Sequence, residues 1–169
     1  MSGEVAAGRV ILASVDSTNA AAFRRAPGLT APLWILAGEQ TAGRGRRARP
    51  WASPPGNFHG TLAMQVTEPP ATVALRSFAA ALALRDAFVA LTSQPQAFTL
   101  KWPNDVLLNG GKVAGILLEA SGATLAIGIG VNLVAAPPPE AVEPGALRPV
   151  SLKGETGLNI PPETFLDAL

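Results

Sequence analysis

Arginine side chains are concentrated in one short segment, residues 43–51 (GRGRRARPW), which holds four of the ten arginines of the chain. Glycine lets a backbone approach a ligand closely, and arginine binds carboxylate or phosphate with a fixed fork geometry. Trp51 could stack on a base. The segment therefore indicates a loop that binds a small anionic molecule or an RGG-like contact with nucleic acid. A solvated basic loop is the remaining interpretation.

Two of the three lysines lie in residues 101–105 (KWPND) and 112–115 (KVAG). Lys112 follows a Gly-Gly turn and precedes aliphatic residues, so its ammonium group would be partly desolvated and would favour an anionic ligand. Alternatively, it is an edge-strand lysine that prevents aggregation. Asn104 and Asp105 fit either a site or a simple turn between strands.

Residues 16–19 (DSTN) and 128–132 (GIGVN) are two further candidate segments. Hydroxyl and free N–H groups at a helix start can bind a polar ligand, although the first segment also fits an ordinary helix cap. Alternating glycines in a strand permit close approach of a ligand or of another backbone. His59 is a lone histidine in a strand, for which a structural role is the simpler interpretation.

Composition limits the chemistry that these segments can perform. The chain has 169 residues, no cysteine and one histidine. A thiol nucleophile, a cysteine-type zinc site, a disulfide framework and a pair of histidine metal ligands are therefore excluded. A net charge of +1 gives no overall attraction to nucleic acid or membrane. We expect a cytoplasmic protein, because the sequence shows neither a signal peptide nor a convincing membrane span.

The hydrophobic pattern predicts a strand, a short helix and a second strand, then a long polar loop and further strands around one long helix. The predicted strands are 9–15, 33–39, 58–67, 97–102, 105–109, 112–121 and 124–133, and the predicted helices are 20–25, 72–92 and a final one begun at 161–169. We expect helix 72–92 to be mostly buried, because it contains few charged residues. These elements predict the α+β class, with a mixed, largely antiparallel β-sheet backed by helices.

Five segments in this order resemble the catalytic domain of the biotin protein ligases (biotin–[acetyl-CoA-carboxylase] ligases). They are DSTN at 16–19, EQTAGRGRR at 39–47 with Trp51, KWPNDVLL at 101–108, GKVAGILLE at 111–119 and GIGVN at 128–132. The resemblance spans residues 10–133 and is specific, because five short motifs share one order. It implies the fold of the biotin/lipoate ligase catalytic domain.

The resemblance implies an enzyme that joins biotin to ATP, giving biotinyl-5′-AMP and pyrophosphate. The enzyme would then transfer biotin to a lysine of a biotin carboxyl carrier domain, of acetyl-CoA carboxylase or a related carboxylase. ATP and biotin are its implied substrates, and Mg²⁺ is expected with ATP. Neither DNA nor a membrane is an expected partner.

The resemblance also assigns site residues. Lys112, Arg44 and Arg46 are the implied catalytic cations, and Asp105 is a candidate for binding Mg²⁺ or for the second step. The implied nucleotide-binding residues are Trp51, Asn104 and Asn132. The implied biotin-binding residues are Ser17, Thr18, Asn19, Gln40, Gly43, Arg44, Gly45, Arg46, Lys112 and Gly115.

Some features depart from the family. Position 48 is alanine where the family loop often has glycine, and relatives usually continue into further helices and a small C-terminal β-barrel. We therefore expect residues 1–135 to form the core of the catalytic domain. Residues 136–169 would be a proline-rich connection and the start of a helix in the same, truncated domain, without an N-terminal DNA-binding domain or the β-barrel. The alternatives are a biotin-binding remnant without full activity and a lipoate-type ligase of the same fold.

Overall fold

A computed structural model describes residues 7–169, and within them seven strands form one sheet. The order of the strands across the sheet is β1-β2-β3-β7-β6-β5-β4. In chain order the strands are β1 Gly8–Val15, β2 Leu33–Gln40, β3 Phe58–Gln65, β4 Phe98–Lys101, β5 Asp105–Leu108, β6 Gly111–Ser121 and β7 Thr124–Val131. The helices are α1 Thr18–Arg25, α2 Pro70–Ala74, α3 Arg76–Thr92, α4 Leu152–Thr156 and α5 Pro162–Ala168.

The sheet is mixed because one pair of strands is parallel. β1 and β2 run in parallel and are joined through α1, whereas every other neighbouring pair is antiparallel. The parallel pair places the end of β1 beside the end of β2, so the chain that leaves β1 begins α1 close to Gln40. The predicted α+β class with a mixed, largely antiparallel sheet is confirmed, and the predicted strand limits agree with the structure within two residues.

Alternate residues of the strands pack on opposite faces of the sheet. On one face, Ile127 and Ile129 of β7 join the main core beneath α3 and α5. On the other face, Ala126 joins a smaller cluster with Ala21 and Ala22 of α1. This alternation, with a period of two residues, leaves the rest of the second face to polar and glycine residues. The candidate site lies on that second face.

Aromatic rings join the last helix to the main core. Phe165 of α5 is fully buried, and its ring centroid lies 5.3 Å from that of Phe58 and 5.0 Å from that of Phe88. Phe88 stacks in turn on Phe98 of β4 at 4.8 Å. Residues 162–168 thus pack against both β3 and α3, and they contribute to the same core as the sheet.

Two expectations about the helices were wrong. The predicted helix 72–92 is divided at Leu75 into α2 and α3, and α3 is only partly buried. Its buried residues are Ala81, Leu84, Ala87 and Phe88, whereas Phe78 and Leu82 are 42% and 54% exposed. A helix that is apolar on all sides does not reveal which of its faces meets the sheet. The short helix α4 was not predicted. Among residues 7–169, no helix combines the length and the apolar content needed to cross a bilayer.

Candidate active site

A cavity of about 740 Å³ lies on the sheet face that α1 partly covers. All five segments singled out in the sequence contribute to its lining, together with residues 137–149. The lining includes every predicted site residue except Gly43, namely Ser17, Thr18, Asn19, Gln40, Arg44, Gly45, Arg46, Trp51, Asn104, Asp105, Lys112, Gly115 and Asn132. The fold thus brings together residues that are more than 100 positions apart in the sequence.

Gly43 serves the backbone of the loop. A Cβ atom at this position would lie 2.8 Å from the carbonyl oxygen of Trp51 and 2.9 Å from Nε2 of Gln40. Its carbonyl oxygen accepts a hydrogen bond from the backbone N–H of Trp51 at 2.9 Å. A side chain at Gly43 would therefore separate the loop from β2, which explains the need for glycine.

One end of the cavity is formed by neutral hydrogen-bonding groups at the start of α1. The backbone N–H and the hydroxyl of Thr18 both donate to Oε1 of Gln40, at 2.9 Å and 3.1 Å. The side-chain amide of Gln40 donates to the hydroxyl of Ser53 at 3.0 Å. Ser17 precedes α1 and is 95% buried, yet within the described chain its hydroxyl makes no capping hydrogen bond. This end of the cavity suits a ligand with both N–H and C=O groups.

Asp16, rather than Ser17, secures the entry to α1. Its carboxylate accepts a hydrogen bond from the backbone N–H of Ser17 at 2.8 Å and two from the guanidinium group of Arg24 at 2.8 Å and 2.7 Å. The Arg24 guanidinium group holds the pKa of Asp16 far below its usual range. Asp16 therefore takes this structural role, and Ser17 is a lining residue of the cavity.

The arginine-rich loop folds back on itself and is fixed to three other segments. A β-bridge joins Arg44 to Pro50. Arg46 donates to Oδ1 of Asn104 at 3.2 Å, and Arg49 forms an ion pair with Glu143 at 2.7 Å. The third connection joins Arg44 to Glu119 on β6. The predicted polar loop is therefore confirmed, but side-chain contacts order it.

Lys112 and Trp51 lie over the floor of the cavity. Nζ of Lys112 is 2.8 Å from Oδ1 of Asp105 and 5.5 Å from the centroid of the Trp51 ring. Oδ1 of Asp105 is enclosed, and the ammonium group of Lys112 is the cation beside it. The indole ring lies on two strand glycines: a Cβ atom would be 3.3 Å from it at Gly115 and 2.5 Å from it at Gly130. The glycines therefore make room for the indole ring.

The two predicted asparagine ligands differ in how they are engaged. Asn104 accepts from Arg46 and donates to the carbonyl oxygen of Ile116 at 3.0 Å, so its side chain already joins two segments. Asn132 donates to the carbonyl oxygen of Val150 at 3.1 Å. Its Oδ1 atom is buried and has no partner in the described part of the chain. That oxygen is a free acceptor beside the cavity.

Residues 137–149 form a wall of the cavity that the sequence did not reveal. The side chain of Asn57 holds the segment before this wall: its oxygen accepts from the backbone N–H groups of Val134 and Ala135 at 2.9 Å and 3.1 Å. After the wall, the backbone of Lys112 exchanges hydrogen bonds with Arg148 and Val150. Proline-rich composition predicted only a connection, because it carries no signal of what the connection covers.

Sequence reasoning also missed two polar residues of the network, Ser53 and Thr61, and it assigned no role to Glu119, the last residue of the motif at 111–119. Thr61 lies 2.8 Å from the hydroxyl of Thr18 and donates to Asn19 at 2.7 Å. Its position on the site face of β3 could have been predicted from strand alternation. His59 is 99% buried, and burial lowers its pKa. It does not line the cavity, which agrees with the structural role expected from the sequence.

The charge of the lining is strongly positive. Six cationic side chains among the described lining residues, Arg44, Arg46, Arg47, Arg49, Lys101 and Lys112, face two acidic ones, Asp105 and Glu143. This excess contrasts with the net charge of +1 of the whole chain. A cavity of this charge, with neutral hydrogen-bonding groups at one end, favours a ligand that is anionic at its other end.

Comparison with known proteins agrees with this geometry. The family model described as the biotin/lipoate A/B protein ligase family matches residues 11–133. The chain is 56% identical over 164 residues to a biotin–[acetyl-CoA-carboxylase] ligase of Paracoccus denitrificans, covering 94% of this chain and 68% of that protein. It is 39% identical over 141 residues to the Mycobacterium tuberculosis protein of the same name, covering 80% of this chain and 52% of that one.

Solved structures match over nearly the whole chain. The biotin protein ligase of Leishmania major in complex with biotinyl-5-AMP superposes with a TM-score of 0.82 at 28% identity, covering 95% of this chain and 71% of that one. The biotin protein ligase of Aquifex aeolicus in complex with biotin and ATP gives 0.77 at 30% identity, covering 95% and 66%. From the family match and these likenesses, the chain belongs to the biotin/lipoate A/B protein ligase family.

Proposed function

We propose that this chain is an ATP-dependent biotin–[acetyl-CoA-carboxylase] ligase, which forms biotinyl-5′-AMP and transfers biotin to a lysine of a biotin carboxyl carrier domain. The observation that carries the proposal is the polarity of one cavity, with neutral hydrogen-bonding groups at the start of α1 and a cationic lining elsewhere. Biotin has a neutral ureido ring at one end and a carboxylate at the other. The matched ligases of Leishmania major and Aquifex aeolicus are complexes with biotinyl-5-AMP and with biotin and ATP, which supports the assignment.

In the first step, a carboxylate oxygen of biotin attacks the α-phosphorus of ATP. A new O–P bond forms, the bond to the bridging oxygen breaks, and pyrophosphate leaves with its electron pair. The approaching groups are both anionic, so fixed cations must screen them. Lys112 and Arg46 line the cavity and are the cations that we assign to this task, and we assign Arg44 to fixing the loop through Glu119.

In the second step, the neutral amine of a carrier lysine attacks the acyl carbon of the adenylate. An amide bond forms, the bond between the acyl carbon and the phosphate oxygen breaks, AMP leaves with that electron pair, and the amine releases one proton to solvent. The mixed anhydride must be shielded from water until then. We assign this shielding to Trp51 and residues 137–149, which flank the cavity from two sides. We assign Asn132, a lining residue whose enclosed Oδ1 has no partner in the described chain, to the nucleotide.

Mg²⁺ belongs to this proposal as a companion of ATP. Magnesium in nucleotide sites is held by one or two carboxylates together with substrate phosphates, whose charge it neutralises. Among residues 7–169 no cluster of three or more acidic or histidine side chains forms a metal site by itself. Asp105, enclosed beside Lys112, is the carboxylate that we assign to such a shared site. We place the reaction in the cytoplasm, where ATP is available.

The test is biotin-dependent exchange of labelled pyrophosphate into ATP, followed by transfer of labelled biotin to a carrier domain. Lys112→Ala should abolish exchange. Lys153→Ala, which changes an exposed lysine of α4 outside the cavity, is the matched control and should exchange like the wild type. Exchange with lipoate in place of biotin would identify a lipoate-type ligase. Tight biotin binding without exchange would identify a binding remnant.

A further inference from the structure

Glu119 joins parts of the site that are far apart in the sequence. It lies on β6 two residues after Leu117 and four after Gly115, so it shares their face of the sheet. Both of those residues line the cavity. Its side chain is 29% exposed. A carboxylate at this depth needs partners that compensate for its partial loss of water.

One partner of Glu119 is Arg44 in the arginine-rich loop. Nη2 of Arg44 lies 3.2 Å and 3.3 Å from the two carboxylate oxygens. Arg44 is also the residue of the loop that bridges to Pro50. The carboxylate therefore holds the stem of the loop against the sheet, while Arg46 and Trp51 extend from that stem toward the cavity.

The other partner of Glu119 is Asn19, in the first turn of α1. Nδ2 of Asn19 donates to the carboxylate at 2.8 Å, and its Oδ1 accepts from Thr61 at 2.7 Å. Thr61 in turn contacts the hydroxyl of Thr18 at 2.8 Å. Asn19 sits directly over Gly128, where a Cβ atom would approach its Oδ1 to 2.4 Å. This chain of contacts fixes the orientation of the Thr18 hydroxyl.

We infer that Glu119 is a positioning residue that aligns both ends of the biotin site, through Arg44 for the loop and through Asn19 for the start of α1. This inference rests on the proposed function. It also changes the interpretation of two predicted ligands. The charge of Arg44 is already compensated, and both polar atoms of the Asn19 amide are engaged, so we assign these two lining residues to shaping the site.

Substitution can separate the two contacts of Glu119, the one with Arg44 and the one with Asn19. Glu119→Gln keeps an oxygen that can accept from Asn19 but removes the charge that holds Arg44. Loss of one partly exposed arginine–carboxylate pair should raise the KM for biotin on the order of fivefold. The kcat should change little, because the loss affects binding of the ground state and the transition state alike. Glu119→Ala also removes the hydrogen bond with Asn19 and should raise the KM for biotin further.

The matched control is Glu155→Gln. Glu155 also accepts from one asparagine and one arginine, Asn109 at 3.0 Å and Arg148 at 3.1 Å. Neither of these partners lines the cavity, whereas Arg44 and Asn19, the partners of Glu119, do. The KM for biotin should be unchanged in this variant. In an Arg44→Gln background, Glu119→Gln should have almost no further effect, because the charge that Glu119 holds has gone.

A second measurement needs no activity. Trypsin should cleave the ligand-free Glu119→Gln protein within residues 44–47 several times faster than the wild type or Glu155→Gln. Equal cleavage rates together with an unchanged KM would overturn the inference, as would full additivity of Glu119→Gln and Arg44→Gln. If the wild type shows no biotin-dependent exchange, the proposed function fails, but the cleavage comparison still decides the role of Glu119.

Discussion

Replacing Lys112 by alanine should damage the protein in two ways that can be measured separately. The residue is proposed to screen the reacting anions, and it is also the ion-pair partner of Asp105 at 2.8 Å. The Asp105 side chain is 17% exposed, and Lys112 is the cation beside its enclosed Oδ1. Lys112→Ala therefore removes a catalytic cation and leaves a poorly solvated carboxylate without compensation.

The size of the structural effect follows from this burial. Leaving a buried polar group without a partner costs about 1–3 kcal/mol. Breaking a fully buried ion pair costs roughly 3–5 kcal/mol, but both side chains here keep some contact with water. We therefore expect the free energy of unfolding to fall by about 1–3 kcal/mol. For a chain of this size, each kcal/mol lowers the Tm by roughly 2–4 °C.

Urea unfolding and pyrophosphate exchange, measured on the same variants, separate the two effects. Lys112→Ala should lose both stability and exchange. The double variant Lys112→Ala/Asp105→Asn should regain most of the stability, because a neutral amide replaces the uncompensated carboxylate. It should not regain exchange, because the cation is still absent. Asp105→Asn alone should cost less stability, since Lys112 is the more exposed partner at 29%.

Two results would refute this reasoning. Unfolding of Lys112→Ala at the wild-type urea concentration would show that the ion pair contributes nothing to the fold. A wild-type rate of pyrophosphate exchange in Lys112→Ala or in Lys112→Ala/Asp105→Asn would show that Lys112 takes no part in the reaction. If Asp105→Asn failed to restore stability in the double variant, the loss would lie in the packing of the lysine stem against Trp51 and Gly115 rather than in the charge.

Three further predictions concern the loop and the buried histidine. Ala48 has a left-handed backbone (φ 57°), which strains any residue with a Cβ atom. Ala48→Gly should therefore raise the free energy of unfolding, measured in urea, by about 0.5 kcal/mol, and a decrease would contradict this strain. Burial lowers the pKa of His59, so as the pH falls below about 6.5 the unfolded chain binds a proton that the folded protein does not, and the free energy of unfolding should decrease from pH 7 to 5. His59→Phe should flatten this dependence, and an unchanged slope would assign the dependence to other groups. Arg49→Glu and Glu143→Arg should each raise the KM for ATP about two- to fivefold, because each breaks the ion pair between these two residues. The double variant should restore the KM, and a double variant with a KM as high as that of either single variant would show that the pair has no effect on ATP binding.

Local patterns were enough to predict most elements of the fold. The hydrophobic pattern marked every strand. Strands β2 to β7 each place residues in the main core, whereas β1 packs only Leu12 and Val15 against the smaller cluster beside α1. The helix α3 was harder. Its apolar residues surround the whole helix, so the sequence did not show that Phe78 and Leu82 face outward. The short helix α4 was missed although it has local signals: the Ser151 hydroxyl accepts from the backbone N–H of Gly154 at 3.1 Å, and Gly157 ends the helix with a left-handed backbone.

The site was predicted as a set of residues but not as a set of pairs. The five segments meet in one cavity, as the family resemblance implied. The sequence did not show that Arg44 would bind Glu119, that Arg46 would bind Asn104, or that residues 137–149 would close a wall. Ion pairs between distant segments depend on strand register and loop path, which are tertiary properties.

The distances along the chain between contacting residues have a consequence for how the site forms. Asn19 and Glu119 are 100 residues apart, Arg44 and Glu119 are 75 apart, and Arg46 and Asn104 are 58 apart. Contacts of such long range form only after much of the chain has been brought together. The network that aligns the ligand therefore arises with the complete sheet, and hydrogen exchange at the backbone amide of Glu119, within the β6–β7 pair, should report global rather than local unfolding. A destabilising substitution anywhere in the main core would lower the population of the binding-competent site by the same factor as that of the folded protein.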